Sequence, residues 1–599
     1  MKKYNCRKDV PDKYKVKMDD YYKDEKDFES HLIKLKDNID KLKNYKNKLS
    51  DANKLYEFLN LYINTLNEWE NSYVYSFIKD DLELGISENI ERKNKTLVLM
   101  NEFELNTAFF VPEILKLEKE EYNKLYDVCP KLNEFKYYLD DIFRNKEHTL
   151  SEEEEKIITS LVNSMNNFDD ISSTMLNSEH NYGKIKLSNG EVDTITTNNY
   201  RRLSKDKDER IRKKLYDKFN KKLDEYSITN AMLLNNYVKI NVTLAKLRHF
   251  DSAWDSSLFG IRLSNKVFES LISASEENID VLSKYYKLKK KVLGMNKIHK
   301  YDMNLDLIHS SKKYEIEEAQ KIILDALKPL GEDYLSKFKK IFDNNYIDYC
   351  GYKGKINGAY SASTLSRDSR IVMSFNEDID SISTIIHEGG HNVNYQYIKE
   401  NNPMQYREIS VRVAEVASLT NECLLSHYFL EHGKTKEEKL NGLENILRVF
   451  AANFYGAIRE GKMELDMYEL VEKDGTITKD FMDSLSYNSL KKYYNNEVVL
   501  DKSIKNDWVN RSHYYMKFYL FSYAICISVA TVVASKILSG DKTMLDNYLK
   551  FLSTGGDVIP KDAFLILGID IESKDTYVDA IKYFDSLIEK FEKIYDEEV

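Results

Sequence analysis

The chain has 599 residues, of which 31% are charged and 42% are hydrophobic, so its composition is that of a globular protein with a large core. It contains only six prolines and 20 glycines, which favours long helices over many short strands. The net charge of −10 provides no electrostatic reason to expect nucleic acid or an anionic membrane as a partner.

The first part of the chain is predicted to be helical, because apolar residues recur at spacings of three and four with charged residues between them. The pattern changes at residues 184–197, where two short apolar segments flank Asn189 and Gly190, a typical β-hairpin turn. We therefore predict an N-terminal helical domain over residues 1–197 and a second domain over residues 198–599.

The clearest strand patterns lie in the middle of the chain. Residues 354–361, which include Gly358, Ala359 and Tyr360, predict a turn and a short strand, and residues 370–375 predict a second strand. An extended peptide can add to the open edge of such a strand and be bound by its main-chain groups. The strand is therefore a candidate substrate-binding element.

A His-Glu-x-x-His motif follows at residues 387–391, within a pattern that predicts an amphipathic helix. On a helix, His387 and His391 lie on one face, close enough for both imidazoles to reach a single Zn²⁺. Glu388 is turned by about 100° from His387. It is therefore placed to act as the general base of a metallopeptidase and not as a third ligand.

The ends of this helix and its two glycines carry further predictions. Asp380 is expected to be the N-cap, with orientation of a ligand histidine as the alternative, and the helix is expected to end before the segment Asn401-Asn402-Pro403. Gly389 and Gly390 each cost roughly 1 kcal/mol relative to alanine within a helix. Their presence predicts a close approach by a substrate or a neighbouring strand.

The next helical pattern, after Pro403, offers Glu408, Glu415 and Glu422 as the third ligand. Their spacing of seven residues places all three near one stripe, so spacing alone does not choose among them. Glu415 lies in an apolar stretch where a buried carboxylate needs a partner, and we predict it as the ligand, with a salt bridge to an arginine as the alternative. Glu422 is expected either beside a ligand or one turn nearer solvent.

Two features bear on the location of the protein. Residues 518–535 carry no formal charge and are long enough to span a membrane, but several hydroxyl-bearing side chains favour a buried helix instead. The five cysteines are scattered and the N-terminus has no apolar core typical of a signal peptide. We therefore predict a cytoplasmic protein without disulfides and without membrane association.

Several separated motifs resemble the oligoendopeptidase F group of the thimet-oligopeptidase-like zinc metallopeptidases. The segments that carry the resemblance are Val10–Lys15, Asp19–Glu25, Gly354–Ser361, His387–His391, Glu415–Ser418 and Ser553–Asp570. The resemblance spans nearly the whole chain. It implies a mainly α fold, a large helical metallopeptidase with a small β-sheet beside a deep active-site cleft. It also implies one Zn²⁺ per chain and short unstructured oligopeptides as substrates.

The same resemblance assigns His513, Tyr519 and Tyr523 to the binding of the substrate carbonyl and the tetrahedral intermediate. On physical grounds, donors aimed at a developing oxyanion each supply roughly 3 kcal/mol. The spacing places Tyr519 and Tyr523 on one helical face, and His513 needs a bend to join them. The chain departs from its relatives at Phe521, where tyrosine is frequent, and at Cys526, where glycine is frequent.

The predicted function is therefore a zinc-dependent endopeptidase that hydrolyses internal bonds of short oligopeptides. One alternative is a zinc carboxypeptidase of related fold, which would release single C-terminal residues. Another is a non-catalytic helical peptide-binding protein, which would have no need of Glu388 as a base. Cobalt or manganese can occupy similar ligands, and no feature of the sequence specifies an oligomeric state.

Overall fold

The computed structural model describes residues 4–151, 153–155, 157, 158, 167–310, 312–356 and 358–597. Helices dominate these residues, so the prediction of a mainly α fold is confirmed. The described α-helices are Glu25–Leu42, Ala52–Leu82, Ser87–Thr107, Phe110–Leu115, Lys119–Val128, Lys136–Arg144, Phe168–Thr174, Thr197–Leu203, Glu209–Asp224, Ser227–Leu247, Ala253–Ile261, Asn265–Glu277, Ile279–Val292, Ile316–Ala326, Gly331–Asp343, Ile379–Asn401, Val411–His432, Lys436–Phe450, Ala457–Glu472, Lys479–Tyr494, Phe521–Leu538, Lys542–Leu552, Pro560–Ile566 and Lys574–Asp596. The described strands are β1 (Lys184–Lys186), β2 (Val192–Thr194), β3 (Ile298–His299), β4 (Ile347–Asp348), β5 (Tyr360–Ala362), β6 (Arg370–Val372) and β7 (Val498–Val499).

The chain divides into two compact units, and each is assembled from three separate stretches of sequence. The first unit comprises Met1–Thr149, Lys312–Leu425 and Lys536–Gly568. The second unit comprises Leu150–Ser311, Ser426–Ser535 and Ile569–Val599. The division near residue 197 into an N-terminal helical domain and a catalytic domain stays a prediction.

Helices near the start of the chain supply much of the core of the first unit. In the helix Glu25–Leu42, Phe28, Leu35 and Ile39 are fully buried, because their spacing places them on one face. The helix begins after Asp24, whose side chain accepts a hydrogen bond from the main-chain N–H of Asp27 and caps the first turn. The apolar spacing of three and four therefore predicted this helix correctly.

The small sheet of the first unit has the order β4-β6-β5. The central strand β6 pairs in parallel with β4 and antiparallel with β5, so that Ile371 lies opposite both Ile347 and Ser361. Strands β5 and β6 confirm the two predicted strands, although both are shorter than predicted. Asn357, within the predicted turn, lies outside the described residues. Strand β4 was not predicted, because two residues are too short to show an alternating pattern.

Two predictions fall within the second unit. The expected hairpin is present as β1 and β2, which pair antiparallel, and Gly190 in the turn has φ +91°, a conformation that favours glycine. One helix in the described part of the chain, Phe521–Leu538, is long and apolar enough to cross a membrane by length and composition. Since 72% of that segment is buried inside the protein, it has the burial of a core helix.

Candidate metal centre

The helix Ile379–Asn401 carries the His-Glu-x-x-His motif in the first unit. Its N-cap is Asp378, whose side chain accepts a hydrogen bond from the main-chain N–H of Ser381 at 2.9 Å. The prediction of Asp380 as the N-cap was therefore wrong by two residues: Asp380 lies in the first helical turn, where a negative charge suits the helix dipole. The helix ends at Asn401, one residue later than predicted.

His387, His391 and Glu415 lie together, with one potential ligand atom of each within 4.8 Å of the others. Oε2 of Glu415 is 3.4 Å from Nε2 of His387 and 3.5 Å from Nε2 of His391. These separations exceed those of good N–H···O hydrogen bonds. They match the spacing of about 3.3 Å between two corners of a tetrahedron of ligands around zinc. The three side chains therefore fit a tetrahedral metal with one further position.

The Glu415 carboxylate is held by its neighbours. Ser418 donates a hydrogen bond from Oγ to Oε2 of Glu415 at 2.8 Å. Burial by itself raises the pKa of Glu415, but the adjacent His391 and His387 outweigh it and lower this pKa to about 2. The carboxylate is thus ionised at neutral pH, as a metal ligand must be.

Glu422 orients one of the two histidines. Nδ1 of His387 donates a hydrogen bond to Oε1 of Glu422 at 2.7 Å, and Oγ of Ser383 donates to the other carboxylate oxygen at 2.9 Å. Because an ionised carboxylate can only accept, this bond places the imidazole proton on Nδ1 and leaves Nε2 free to bind a metal. Burial lowers the pKa of His387, but the bond to Glu422 and the nearby carboxylates raise it to about 9, so a metal that binds at neutral pH displaces the proton from Nε2 while Nδ1 keeps its own. The sequence left the role of Glu422 undecided.

Glu388 is not one of the three potential metal ligands, but its carboxylate interacts electrostatically with His387, His391 and Glu415. Burial raises the pKa of Glu388 above its ordinary value, the two histidines oppose that shift, and the carboxylates of Glu415 and Glu422 add to it. A carboxylate with a raised pKa is better suited to accept and release a proton near neutral pH.

Gly390 allows the two site helices to approach closely. A Cβ atom at Gly390 would lie 2.8 Å from Cα of Ser418 and 2.9 Å from the carbonyl oxygen of Ala417. The neighbour is therefore the helix Val411–His432, and the predicted neighbouring strand was wrong. Because Glu415 belongs to that helix, the missing side chain of Gly390 lets a carboxylate reach the histidines.

The crossing of the helices is reinforced on either side of this glycine. Asn421 donates a hydrogen bond from Nδ2 to the carbonyl oxygen of Ile386 at 3.1 Å and accepts one from the hydroxyl of Tyr334 at 2.9 Å. Gly389 faces the ring of Phe338, 2.2 Å from where a Cβ atom would lie. Both glycines therefore serve close packing inside the first unit.

The predicted substrate-binding residues Gly358, Ala359 and Tyr360 lead into the edge strand β5. Gly358, two residues before the strand, has φ +94°, a conformation that favours glycine. The hydroxyl of Tyr360 donates to Oδ2 of Asp81 at 2.8 Å, so its side chain is anchored within the first unit. Among the described residues β5 pairs only with β6, which leaves its second edge without a strand partner.

His513, Tyr519 and Tyr523 lie together in the second unit. The ring centroids of His513 and Tyr523 are 6.0 Å apart, and those of Tyr519 and Tyr523 are 5.2 Å apart. The bend that His513 requires occurs at Phe518, which has φ +56° and donates its main-chain N–H to Oε1 of Glu464 at 2.7 Å. Because this turn delays the start of the helix, Tyr519 precedes it, and the expectation of one shared helical face was wrong.

Phe521 and Cys526 are both fully buried. The ring of Phe521 packs edge-on against Phe268 at 5.2 Å and covers Gly461, where a Cβ atom would lie 2.8 Å from that ring. Cys526 lies on the same buried helix. The side chain of Phe521 is therefore part of the core of the second unit.

Comparison with known proteins places these observations in a family. The model of Peptidase family M3 matches residues 202–583, and the model described as Oligopeptidase F matches residues 113–182. Oligopeptidase PepF of Bacillus subtilis is 28% identical over 98% of this chain and 88% of its own length. The plasmid oligoendopeptidase F of Lactococcus lactis subsp. cremoris is 27% identical over 99% of both chains. The crystal structure of oligoendopeptidase-F from Enterococcus faecium is similar with a TM-score of 0.75 and 24% identity, over 96% of this chain and 99% of that one.

Proposed function

The chain belongs to peptidase family M3, and we propose that it is a zinc-dependent endopeptidase that hydrolyses internal bonds of short unstructured oligopeptides. The observation that carries the proposal is the group of His387, His391 and Glu415 with the half-buried carboxylate of Glu388 beside it. The names of the relatives from Bacillus subtilis and Lactococcus lactis support oligopeptides as the substrate class.

His387, His391 and Glu415 would hold one Zn²⁺ per chain. Two imidazoles and one carboxylate with a further position open are a donor set typical of catalytic zinc, whereas structural zinc sites are closed by four protein ligands. When bound, zinc supplies a Lewis acid that polarises the scissile carbonyl and makes water more acidic. Glu422 keeps the ring of His387 in the tautomer that the ligand role needs.

Proton transfer is the proposed role of Glu388. Its carboxylate takes a proton from the attacking water and later gives that proton to the leaving amine. Burial favours both steps, because the raised pKa of Glu388 makes the carboxylate a stronger base and still lets it release the proton. A glutamine at this position would have the same shape without the ability to carry the proton.

Stabilisation of the oxyanion is the proposed role of His513, Tyr519 and Tyr523. Burial lowers the pKa of His513, so the imidazole is neutral at pH 7 and can donate from one ring nitrogen. Tyrosine hydroxyls and an imidazole N–H aimed at the carbonyl oxygen stabilise the charge that develops there.

Main-chain binding explains the preference for unstructured substrates. A peptide that adds to the open edge of β5 next to Gly358, Ala359 and Tyr360 must be extended, so a folded protein is excluded unless it unfolds locally. None of the five cysteines, all of which lie within the described residues, forms a disulfide bond, which supports the cytoplasm as the compartment.

The test is cleavage of internally quenched peptides of graded length by wild type and Glu388→Gln, with products identified by mass spectrometry. We expect internal cuts that are lost in Glu388→Gln and on chelation, and are restored by zinc. Glu400→Gln is the matched control, because Glu400 lies in the last turn of the same helix with a side chain that is 51% exposed. Release of single C-terminal residues would identify a carboxypeptidase instead. Zinc binding with no cleavage by the wild type would contradict the peptidase proposal.

A further inference from the structure

The second unit contains a cavity of about 500 Å³, which is within the usual range for small-ligand sites. Two residues of its wall are His513 and Tyr523. If these side chains bind the scissile carbonyl, as the proposed function requires, the cavity adjoins the bond to be cut. The inference developed here rests on that proposed function and adds a second contact to the substrate.

The wall of the cavity is strongly basic. Five cationic side chains and one carboxylate line it, namely Lys289, Lys300, Arg448, Arg459, Arg511 and Glu460. A second carboxylate, Asp507, lies outside the lining, 3.2 Å from Lys300 and 3.8 Å from Arg459, so the cations still outnumber the carboxylates. A wall with this excess of positive charge attracts anions and repels cations, and the effect is stronger in a partly enclosed space than on an open surface.

Two of the guanidinium groups share a single carboxylate. Oε1 of Glu460 accepts from Nη2 of Arg459 at 2.6 Å and lies 2.9 Å from Nη2 of Arg511. Each guanidinium carries five N–H donors. Arg459 also donates from Nη1 to Sδ of Met463 at 3.6 Å and lies 3.8 Å from Asp507, so Arg511 keeps the larger number of donors for a ligand. The side chain of Arg459 is 8% exposed and that of Arg511 is 39% exposed. Arg511 is therefore the cation that a ligand reaches first, and Glu460 holds both groups in position.

A further positive charge is buried without a carboxylate partner of its own. Nζ of Lys289 donates to the carbonyl oxygens of Met303 and Leu305 at 3.2 and 3.4 Å, and the residue is 4% exposed. Among the described residues no carboxylate lies within 4.0 Å of this nitrogen. Burial lowers the pKa of Lys289 to about 8, although nearby acidic side chains oppose that shift. An anion in the cavity would stabilise the charged form of this lysine.

One side of the cavity is a π-helix. Residues Ala451–Gly456 adopt this conformation between two α-helices, and five of these six residues line the cavity. Short π-helical segments are rare and frequently occur at functional sites. Here the small side chains of Ala451, Ala452 and Gly456 leave the space between the cations open.

We infer that this cavity binds the C-terminal carboxylate of the peptide substrate, with Arg511 and Arg459 as its donors and Lys289 adding positive charge. The C-terminal carboxylate is the one anionic group that every oligopeptide carries, whereas the N-terminal ammonium is repelled by this wall. A guanidinium can bind a carboxylate with two parallel hydrogen bonds, which makes Arg511 and Arg459 suitable partners. The substrate would then be positioned from its C-terminal end.

The experiment measures binding of one fluorescent peptide, as the free acid and as the C-terminal amide, to zinc-loaded Glu388→Gln protein. Hydrogen bonds to charged groups predict that amidation weakens binding by about 10- to 100-fold. Arg511→Gln should reduce that ratio to below about threefold, mainly by weakening the binding of the acid. The matched control is Lys287→Gln, which removes the same charge from the helix that carries Lys289, at a side chain that is 64% exposed. It should keep the full ratio.

Equal binding of the acid and the amide would overturn the inference, and so would an acid-to-amide affinity ratio that Arg511→Gln leaves unchanged. Full recovery of binding by an amide whose last residue is glutamate would also overturn it, since any carboxylate would then suffice. If Arg511→Gln fails to fold, Lys289→Met provides the same comparison. With wild type, adding residues to the N-terminus should leave the cut unchanged when counted from the C-terminus. Cleavage without preference for the acid would contradict this inference alone, whereas absence of any cleavage would contradict the proposed function.

Discussion

Replacement of Glu422 tests whether zinc binding by His387, His391 and Glu415 depends on a carboxylate outside that group. The Nδ1–Oε1 distance of 2.7 Å to His387 is that of a strong charge-assisted hydrogen bond. Glu422→Gln keeps an oxygen acceptor but removes the negative charge, so we expect zinc affinity to fall by about tenfold. Glu422→Ala removes both, and we expect a loss of about 100-fold, or about 2.8 kcal/mol.

The assay is competition for Zn²⁺ against a chromophoric chelator at fixed pH and ionic strength. Glu431→Gln is the matched control, because Glu431 lies in the last turn of the same helix with a side chain that is 55% exposed, and it should bind zinc like the wild type. A thermal melt of each metal-free variant separates loss of affinity from loss of folding. Wild-type zinc affinity in Glu422→Ala would refute the reasoning, because the orientation of His387 would then not depend on this contact.

Three further predictions follow from other contacts. Gly390→Ala should lower the free energy of unfolding by about 1–3 kcal/mol in urea denaturation, because the new methyl group meets main-chain atoms. Gly260→Ala, at a helical position with nothing within 4 Å, should instead raise it by up to about 1 kcal/mol. Burial raises the pKa of Glu70 to about 7. Its protonated form is thus favoured by folding, and that stabilisation is lost as the pH rises through about 7. Glu70→Gln should therefore raise the thermal midpoint at about pH 8 and leave it near that of the wild type at about pH 4.5; equal midpoints at both pH values would contradict this. Tyr523→Phe should lower kcat by about 100-fold with little change in KM, and an unchanged kcat would exclude a donor role for this hydroxyl.

Local patterns in the sequence were sufficient to predict several helices, the hairpin turn and the arrangement of the His-Glu-x-x-His motif. On a helix, the spacing of His387, Glu388 and His391 predicts two histidines on one face and a glutamate turned away from them, because the helical repeat fixes these directions. The turn at Asn189 and Gly190 was also predictable from local sequence, since an Asn-Gly pair whose glycine adopts positive φ favours a tight β-hairpin turn. Such features depend on residues a few positions apart, whose relative positions are set by backbone geometry.

Only the tertiary structure decided what lies across from these local features. Spacing left Glu415 and Glu422 equivalent as partners of the histidines, and only the apolar surroundings favoured Glu415. The crossing of two helices at Gly390 gives the two carboxylates different positions: Glu415 lies 3.4–3.5 Å from Nε2 of both histidines, and Glu422 accepts from Nδ1 of His387. The basic cavity was also invisible in the sequence, because its walls come from stretches as distant as Lys289 and Arg511. Contacts of this kind depend on how helices pack against each other. The choice of which helices meet, and where they cross, is set by many side chains at once, so the periodic pattern of a single helix does not reveal it.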